Sequence, residues 1–151
     1  DPTVNRDFIG KDGTVLAQAA GASAPAGTQL LFGETDADNV WVKEEQMMPF
    51  VPVVRVGCIK EAIERAVQSE HGYRHTAVIH SRDINNVTRM ARALNTTLFV
   101  HNAPSTGSLG VDGPGYMTYS IATPTGEGVT TPLTFTRERQ LAIGAGALRI
   151  V

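Results

Sequence analysis

Between residues 51 and 100 the apolar positions alternate between two periods, and each change of period marks an element. Val51 to Val56 is β-branched and apolar and predicts a strand, in which Pro52 limits the backbone groups that can join a ladder. After Gly57, the residues Ile59, Ala62, Ile63, Ala66 and Val67 recur at helical spacing. They form one buried face of a helix that ends near Glu70 and is stopped by Gly72. On its wet side Glu61 and Arg65 stand four apart, as an ion pair should. Residues 76 to 79 (Thr-Ala-Val-Ile) read as a strand covered on both faces. Asp83 then caps a helix carrying Ile84, Val87, Met90, Ala91 and Leu94, and residues 96 to 100 (Thr-Thr-Leu-Phe-Val) return to strand chemistry. Two crossover units in series follow, 51–56/59–70/76–80 and 76–80/84–94/96–100. They predict an α/β fold, a three-layer α/β/α sandwich with a mostly parallel sheet.

The flanks are less periodic. Residues 4 to 20 read as an interrupted helix, weakened at Gly10 and Gly13 and best formed from Asp12 to Ala20. Residues 22 to 27 form a loop, 28 to 32 a short strand, and Gly33 to Asn39 a solvated acidic turn. Residues 103 to 115 make a long glycine-rich loop, a length that in a compact domain marks a functional or a mobile segment. Beyond it, 116–123, 130–136 and 140–143 are β-prone around a turn at 124–128. A β-rich tail after an α/β body is expected to pack elsewhere, as on a partner subunit.

Composition narrows the class. With 42% hydrophobic and 19% charged residues the chain is globular, and 151 residues suffice for one core. A net charge of −2 gives no reason to expect a nucleic acid or an anionic membrane as partner. A single cysteine excludes an internal disulfide and suits a reducing cytoplasm. No apolar run approaches the ~20 residues of a membrane helix, and no signal peptide stands at the front. The chain opens on Asp1-Pro2-Thr3 rather than on methionine, as a piece of a longer protein would.

Four features carry candidate chemistry. Cys58 stands between a strand and the start of a helix, where the dipole favours a thiolate, though a small cysteine at such a turn is more often structural. His75 and His80 differ in parity on their strand and face opposite ways, and no second cysteine is near, so no metal site is expected. Gly113-Pro114-Gly115 runs into a strand where a dinucleotide fingerprint needs a helix. Glu45, just before the strand at 51, stands where a carboxylate at a strand mouth could accept hydrogen bonds from ribose hydroxyls or act as a base; the alternative is an exposed acid beside Glu44.

Five linked blocks resemble one family. Glu45-Gln46-Met47-Met48-Pro49 precedes Val51 to Val56, then come Glu70-His71-Gly72-Tyr73-Arg74-His75-Thr76-Ala77 and Phe99-Val100-His101-Asn102-Ala103-Pro104-Ser105. Ile121 to Gly128 and Thr134-Phe135-Thr136-Arg137 complete the series. In this order they resemble the CoA-acylating aldehyde dehydrogenases of ethanolamine and propanediol utilisation, from partway through the catalytic domain to its end. The resemblance implies that a cysteine attacks the aldehyde, hydride passes to NAD, and the thioester is handed to coenzyme A. It implies that Glu45 contacts the nicotinamide ribose and that His75 has a supporting acid/base or positioning role. It implies too that Asn102 and the loop with Gly110 help to close the substrate tunnel, and that a catalytic-domain part at 1–117 is followed by a β-rich tail at 118–151 supplying strands for a homo-oligomer.

The resemblance places the nucleophilic cysteine upstream of Asp1, so Cys58 does not match it and the isolated chain is expected to be inactive. The partners implied are a small aldehyde and the remainder of the enzyme with its nucleotide-binding domain, in the cytoplasm or inside a bacterial microcompartment. Asp112 and Pro114 depart from the family's glycine and glutamate in the loop, adding charge and stiffness. Two other readings of the residues are a stand-alone assembly module without catalysis and an unrelated nucleotide-binding α/β domain. A ladder between strands 51–56 and 76–80 would argue against the last.

Overall fold

The computed structural model describes residues 3–113, 121–122, 128–140, 142 and 144. The chain forms two compact units, Asp1–His71 and Gly72–Val151.

In the first unit a 3-10 turn at Arg6–Phe8 leads to helix α1 (Gly13–Ala19). Gly13 does not break this helix; it begins it. A β-carbon there would stand 2.9 Å from the Thr28 carbonyl oxygen, so the bare backbone lets the loop at 28 lie against the helix. Strand β1 (Leu31–Glu34) starts later than the expected 28–32, because Thr28 is held in a turn by its hydroxyl donating to the Pro25 carbonyl at 2.7 Å. A one-turn helix α2 (Val40–Lys43), capped by Asn39, precedes strand β2 (Phe50–Val53).

β1 and β2 pair in parallel with Leu31 opposite Phe50 and Glu34 opposite Val53. Leu31, Gly33, Phe50 and Pro52 turn inward, where the Phe50 ring meets Trp41 edge-on at 5.0 Å. Phe32, Val51 and Val53 turn outward, Phe32 78% exposed. Helix α3 (Ile59–Glu70) follows as expected, with Ile63 buried. The Glu61–Arg65 pair does not form. Glu61 instead turns back to accept from the Gly57 N–H at 2.9 Å, satisfying a donor ahead of the helix.

At the edge of this sheet the Arg55 guanidinium donates to both Glu34 carboxylate oxygens, at 3.0 and 2.8 Å. It holds the Glu34 carboxyl below its ordinary value. A depressed carboxyl stabilises the fold above the unfolded glutamate's pKa, and that contribution is lost as pH falls through the folded value. Denaturation midpoints of the wild type and Glu34→Gln should therefore differ slightly near neutrality and converge below about pH 4. A gap that persists in acid would show that Glu34 acts by some means other than its charge.

The second unit opens on strand β3 (Thr76–Ile79), helix α4 (Ile84–Leu94) and strand β4 (Leu98–His101), with β3 and β4 parallel and Thr76 opposite Leu98. Asp83 caps α4 as expected, its Oδ1 accepting from the Asn85 N–H at 2.9 Å, a contact worth about 1 kcal/mol. Ile79, Val87, Leu94, Leu98 and Val100 are the buried core of this unit.

In the first unit β2 pairs with β1, and in the second β3 pairs with β4. The β1 to β2 crossover was hidden because its helix is a single turn and leaves no helical period. The run at 130–136 is not a strand: Pro132–Phe135 is a 3-10 turn. Pro132 pre-sets the first turn position and the Thr131 N–H donates to Thr134 Oγ1 at 3.1 Å, a local closure that wins over β propensity. Of the expected strand 116–123 only Ile121–Ala122 is described, pairing antiparallel with Gly128–Val129. Residues 116–120 and 123 of that expected strand, 124–127 of the turn, and 141 and 143 lie outside the described residues.

Candidate functional site

Parallel sheets bind ligands beyond the carboxyl ends of their strands. In the second unit that end is organised by the Ser81 peptide. Asn102, just past β4, accepts the Ser81 N–H through Oδ1 at 2.9 Å and donates from Nδ2 to the Ser81 carbonyl at 3.0 Å. His101 Nε2 meets the same carbonyl at 2.8 Å. The Asn102 backbone N–H continues the ladder to the Ile79 carbonyl at 2.9 Å. Asn102 is left-handed at φ 53°, a conformation its short amide tolerates better than most side chains. The Ser81 backbone, just past β3, is therefore gripped by two consecutive residues, His101 at the end of β4 and Asn102 after it. The Ser81 hydroxyl accepts from the Asp83 N–H at 3.1 Å, linking the grip to the start of α4.

From this root the glycine-rich loop proceeds. It is more ordered than the sequence suggested, with a 3-10 turn at Ser105–Leu109. Gly107 N–H reaches the Pro104 carbonyl at 2.9 Å, and Val111 N–H the Thr106 carbonyl at 3.2 Å. Gly110 ends the turn at φ 83°, and farther on Gly113 lies against Gly107. Asn102 and Gly110, both expected at a substrate tunnel, are thus on one continuous ordered loop.

His75 is placed elsewhere in the unit, at the amino end of β3. Its carbonyl accepts from Leu98 N–H at 3.0 Å and its Nδ1 contacts Thr76 Oγ1 at 2.7 Å, which sets the ring's orientation. His75 and Asn102 therefore stand at opposite ends of the same strand pair and do not share one centre within it.

In the first unit Glu45 lies exposed in the connection from α2 to β2. That is the amino end of β2, just before the strand as the sequence placed it. Its neighbours are anchored: Gln46 Nε2 donates to the Trp41 carbonyl at 2.9 Å and also to the Glu44 carbonyl. Glu44, Gln46 and Trp41 border an apolar cleft of about 350 Å³ with Phe8, Leu16 and Met48. Glu45 itself does not border the cleft; its exposed carboxylate, an acceptor-only group, has the chemistry to receive ribose hydroxyls.

Cys58 is the N-cap of α3, exposed, with extended backbone and no side-chain cap bond. No histidine is brought to it by the described hydrogen bonds. Among the described residues no group of three or more His, Cys, Asp or Glu side chains gathers as a metal site would require. No helix among them is long and apolar enough to cross a membrane. Ser81, Asn102's grip on it and the Gly107–Gly113 approach escaped the sequence reading; the glycines at 107, 110 and 113, three apart, were the available signal.

Comparison with known proteins gives a consistent picture. The model of the aldehyde dehydrogenase family matches residues 27–116. The acetylating acetaldehyde dehydrogenase EutE of Salmonella typhimurium is 48% identical over 149 residues, covering 99% of this chain and 32% of that protein. A propionaldehyde dehydrogenase from the Clostridium phytofermentans fucose utilisation bacterial microcompartment superposes with a TM-score of 0.84 at 39% identity, over 89% of this chain and 31% of that one. The Rhodopseudomonas palustris propionaldehyde dehydrogenase, solved with bound propionyl-CoA, gives 0.84 at 41% identity, over 89% and 30%. The chain spans about a third of the length of these relatives.

Proposed function

We propose, since the chain belongs to the aldehyde dehydrogenase family, that it supplies the later part of the catalytic domain of an enzyme converting a small aldehyde to an acyl-CoA with NAD as oxidant. The observation that carries this reading is the continuity of the likeness, which runs through nearly all of the chain to acylating enzymes. NAD, when bound, accepts the hydride. The residues here bind and position. Glu45 accepts hydrogen bonds from the nicotinamide ribose, His75 orients or moves a proton for a reacting group contributed by the rest of the enzyme, and Asn102 with Gly110 walls the substrate tunnel. The nucleophilic cysteine belongs to the part of the enzyme outside this chain, and Cys58 takes no part.

Residues 1–117 belong to a three-layer sandwich in this reading, and 118–151 to a strand-rich segment that packs on a neighbouring subunit of a homo-oligomer. The outward strip of Phe32, Val51 and Val53 supports the first assignment, because parallel sheets are covered on both faces. The antiparallel pair at 121–122 and 128–129 supports the second. The microcompartment named for the Clostridium relative makes such a compartment the proposed location. An unrelated nucleotide-binding domain is set aside by the family match across 27–116.

The test is kinetic, on the whole enzyme with aldehyde and coenzyme A. Glu45→Gln should raise the KM for NAD roughly tenfold, the worth of a charge-assisted hydrogen bond of about 1.5 kcal/mol, with little change in the KM for aldehyde. An unchanged cofactor KM would remove Glu45 from the cofactor site.

A further inference from the structure

The loop after β4 closes on itself through bare backbone. A β-carbon on Gly113 would overlap the Gly107 carbonyl oxygen and stand 2.7 Å from both the carbonyl carbon and the Cα of Gly107. All three are main-chain atoms, so no rotamer change relieves the clash. The contact is one-sided. A β-carbon on Gly107 would meet only the Ala103 Cβ at 3.8 Å and the Gly113 Cα at 4.0 Å, ordinary van der Waals distances.

The closed loop has little slack. Its root is gripped by Asn102 on the Ser81 peptide, its middle is a hydrogen-bonded 3-10 turn, and its far end is the Gly113 contact. Between turn and contact stand only Gly110, Val111 and Asp112. Gly110 and Asp112 are both left-handed, and Val111 is an apolar side chain exposed at the tip. This assembly stands at the carboxyl ends of β3 and β4, where α/β sheets take their ligands.

We infer that Gly113, by closing the loop onto Gly107, is a specificity-determining position that sets which aldehyde chain lengths the enzyme accepts. The inference rests on the proposed function, since the loop must border the aldehyde's path. Any side chain at 113 must push the loop open, and a wall displaced by about an ångström changes the fit of each added methylene. Because His75 stands at the other end of the strand pair, the displacement acts on KM and leaves kcat at saturating aldehyde nearly unchanged.

The experiment measures kcat and KM for acetaldehyde, propanal, butanal and pentanal in the whole enzyme. Wild type is compared with Gly113→Ala, Gly110→Ala and Leu94→Ala. Gly113→Ala should change the ratio of kcat/KM between the shortest and longest aldehydes by about fivefold or more, through KM. Gly110→Ala, which strains the same loop through its left-handed backbone, should shift the ratio the same way. Leu94→Ala weakens the core of this unit and should leave the ratio unaltered, separating loop position from general loss of stability. A folded Gly113→Ala enzyme whose ratio stays within about twofold of wild type overturns the inference. If Gly113→Ala does not fold, an unshifted ratio in Gly110→Ala overturns it. A wild type that forms no acyl-CoA from any of the four overturns the proposed function instead, and this inference with it.

Discussion

His75→Ala in the whole enzyme is expected to lower kcat by about 10²-fold or more, the usual span for loss of a positioned acid/base group being about 10² to 10⁴. The effect should fall on kcat rather than on the KM for aldehyde. The physical ground is the way this imidazole is held. The backbone on either side is locked to the neighbouring strand, Thr97 N–H to the Arg74 carbonyl at 2.8 Å and Leu98 N–H to the His75 carbonyl at 3.0 Å. The ring is then oriented by Nδ1 against Thr76 Oγ1. The Thr76 hydroxyl can donate to Nδ1 or accept from it, so the contact holds the ring's orientation in either tautomer. Thr76→Val should accordingly cost about tenfold in kcat, less than loss of the imidazole itself. The pH profile separates the two roles proposed for His75. If it moves a proton, the alanine variant loses one limb of the kcat/KM profile; if it only positions, the profile keeps its shape at a lower level. A kcat within about threefold of wild type would remove His75 from the catalytic machinery.

The largest expected loss of stability follows Leu94→Ala, at about 2 to 5 kcal/mol. Leu94 is 5% exposed, in the last turn of α4, and shares the buried core of the second unit with Ile79, Val87, Leu98 and Val100. Truncation removes three carbons from that core and leaves a cavity the two strands can only partly fill. Against the 5 to 15 kcal/mol that holds a typical domain together, this is a large fraction. Urea denaturation followed by circular dichroism should show a lower midpoint with little change in slope. Met90→Ala on the same helix, at a half-buried position, should cost less. Equal midpoints for Leu94→Ala and wild type would mean that α4 does not pack on β3 and β4 as described.

What the sequence made legible follows from where local and tertiary preferences agree. α3, α4 and β3 were read almost to the residue because periodicity, caps and breakers coincide there. Asp83 is both the first polar residue before an apolar face and a side chain able to accept from Asn85. Where tertiary contacts decide, the reading slipped. β1 extends into an acidic run because Glu34 finds Arg55 across the sheet, 21 residues away in sequence. Gly13 was read as a weak point although it permits a close approach, which no local rule reveals. Thr131 to Phe135 has strand composition and turn geometry, since Pro132 and Thr134 close it locally.

The candidate site was legible in the same uneven way. Motif resemblance pointed to Glu45, His75, Asn102 and Gly110 and already put Asn102 and Gly110 on one segment; the folded chain adds how that loop is held and that His75 lies at the other end of β3. The role of Asn102 as a grip on the Ser81 peptide depends on a residue 21 positions distant and could not be read from either residue alone. Gly113 carried no more signal than its neighbours until its contact with Gly107 was known.

The central claim is that these residues are the positioning part of an acylating dehydrogenase whose nucleophile is not Cys58. It is tested most directly by following NADH formation from aldehyde and coenzyme A, first with the 151-residue chain alone and then with an enzyme of its relatives' full length containing it. The account predicts no NADH from the short chain, NADH from the long one, and the same rate in the long one after Cys58→Ser. NADH from the short chain that disappears on Cys58→Ser would contradict it, and would make Cys58 the nucleophile.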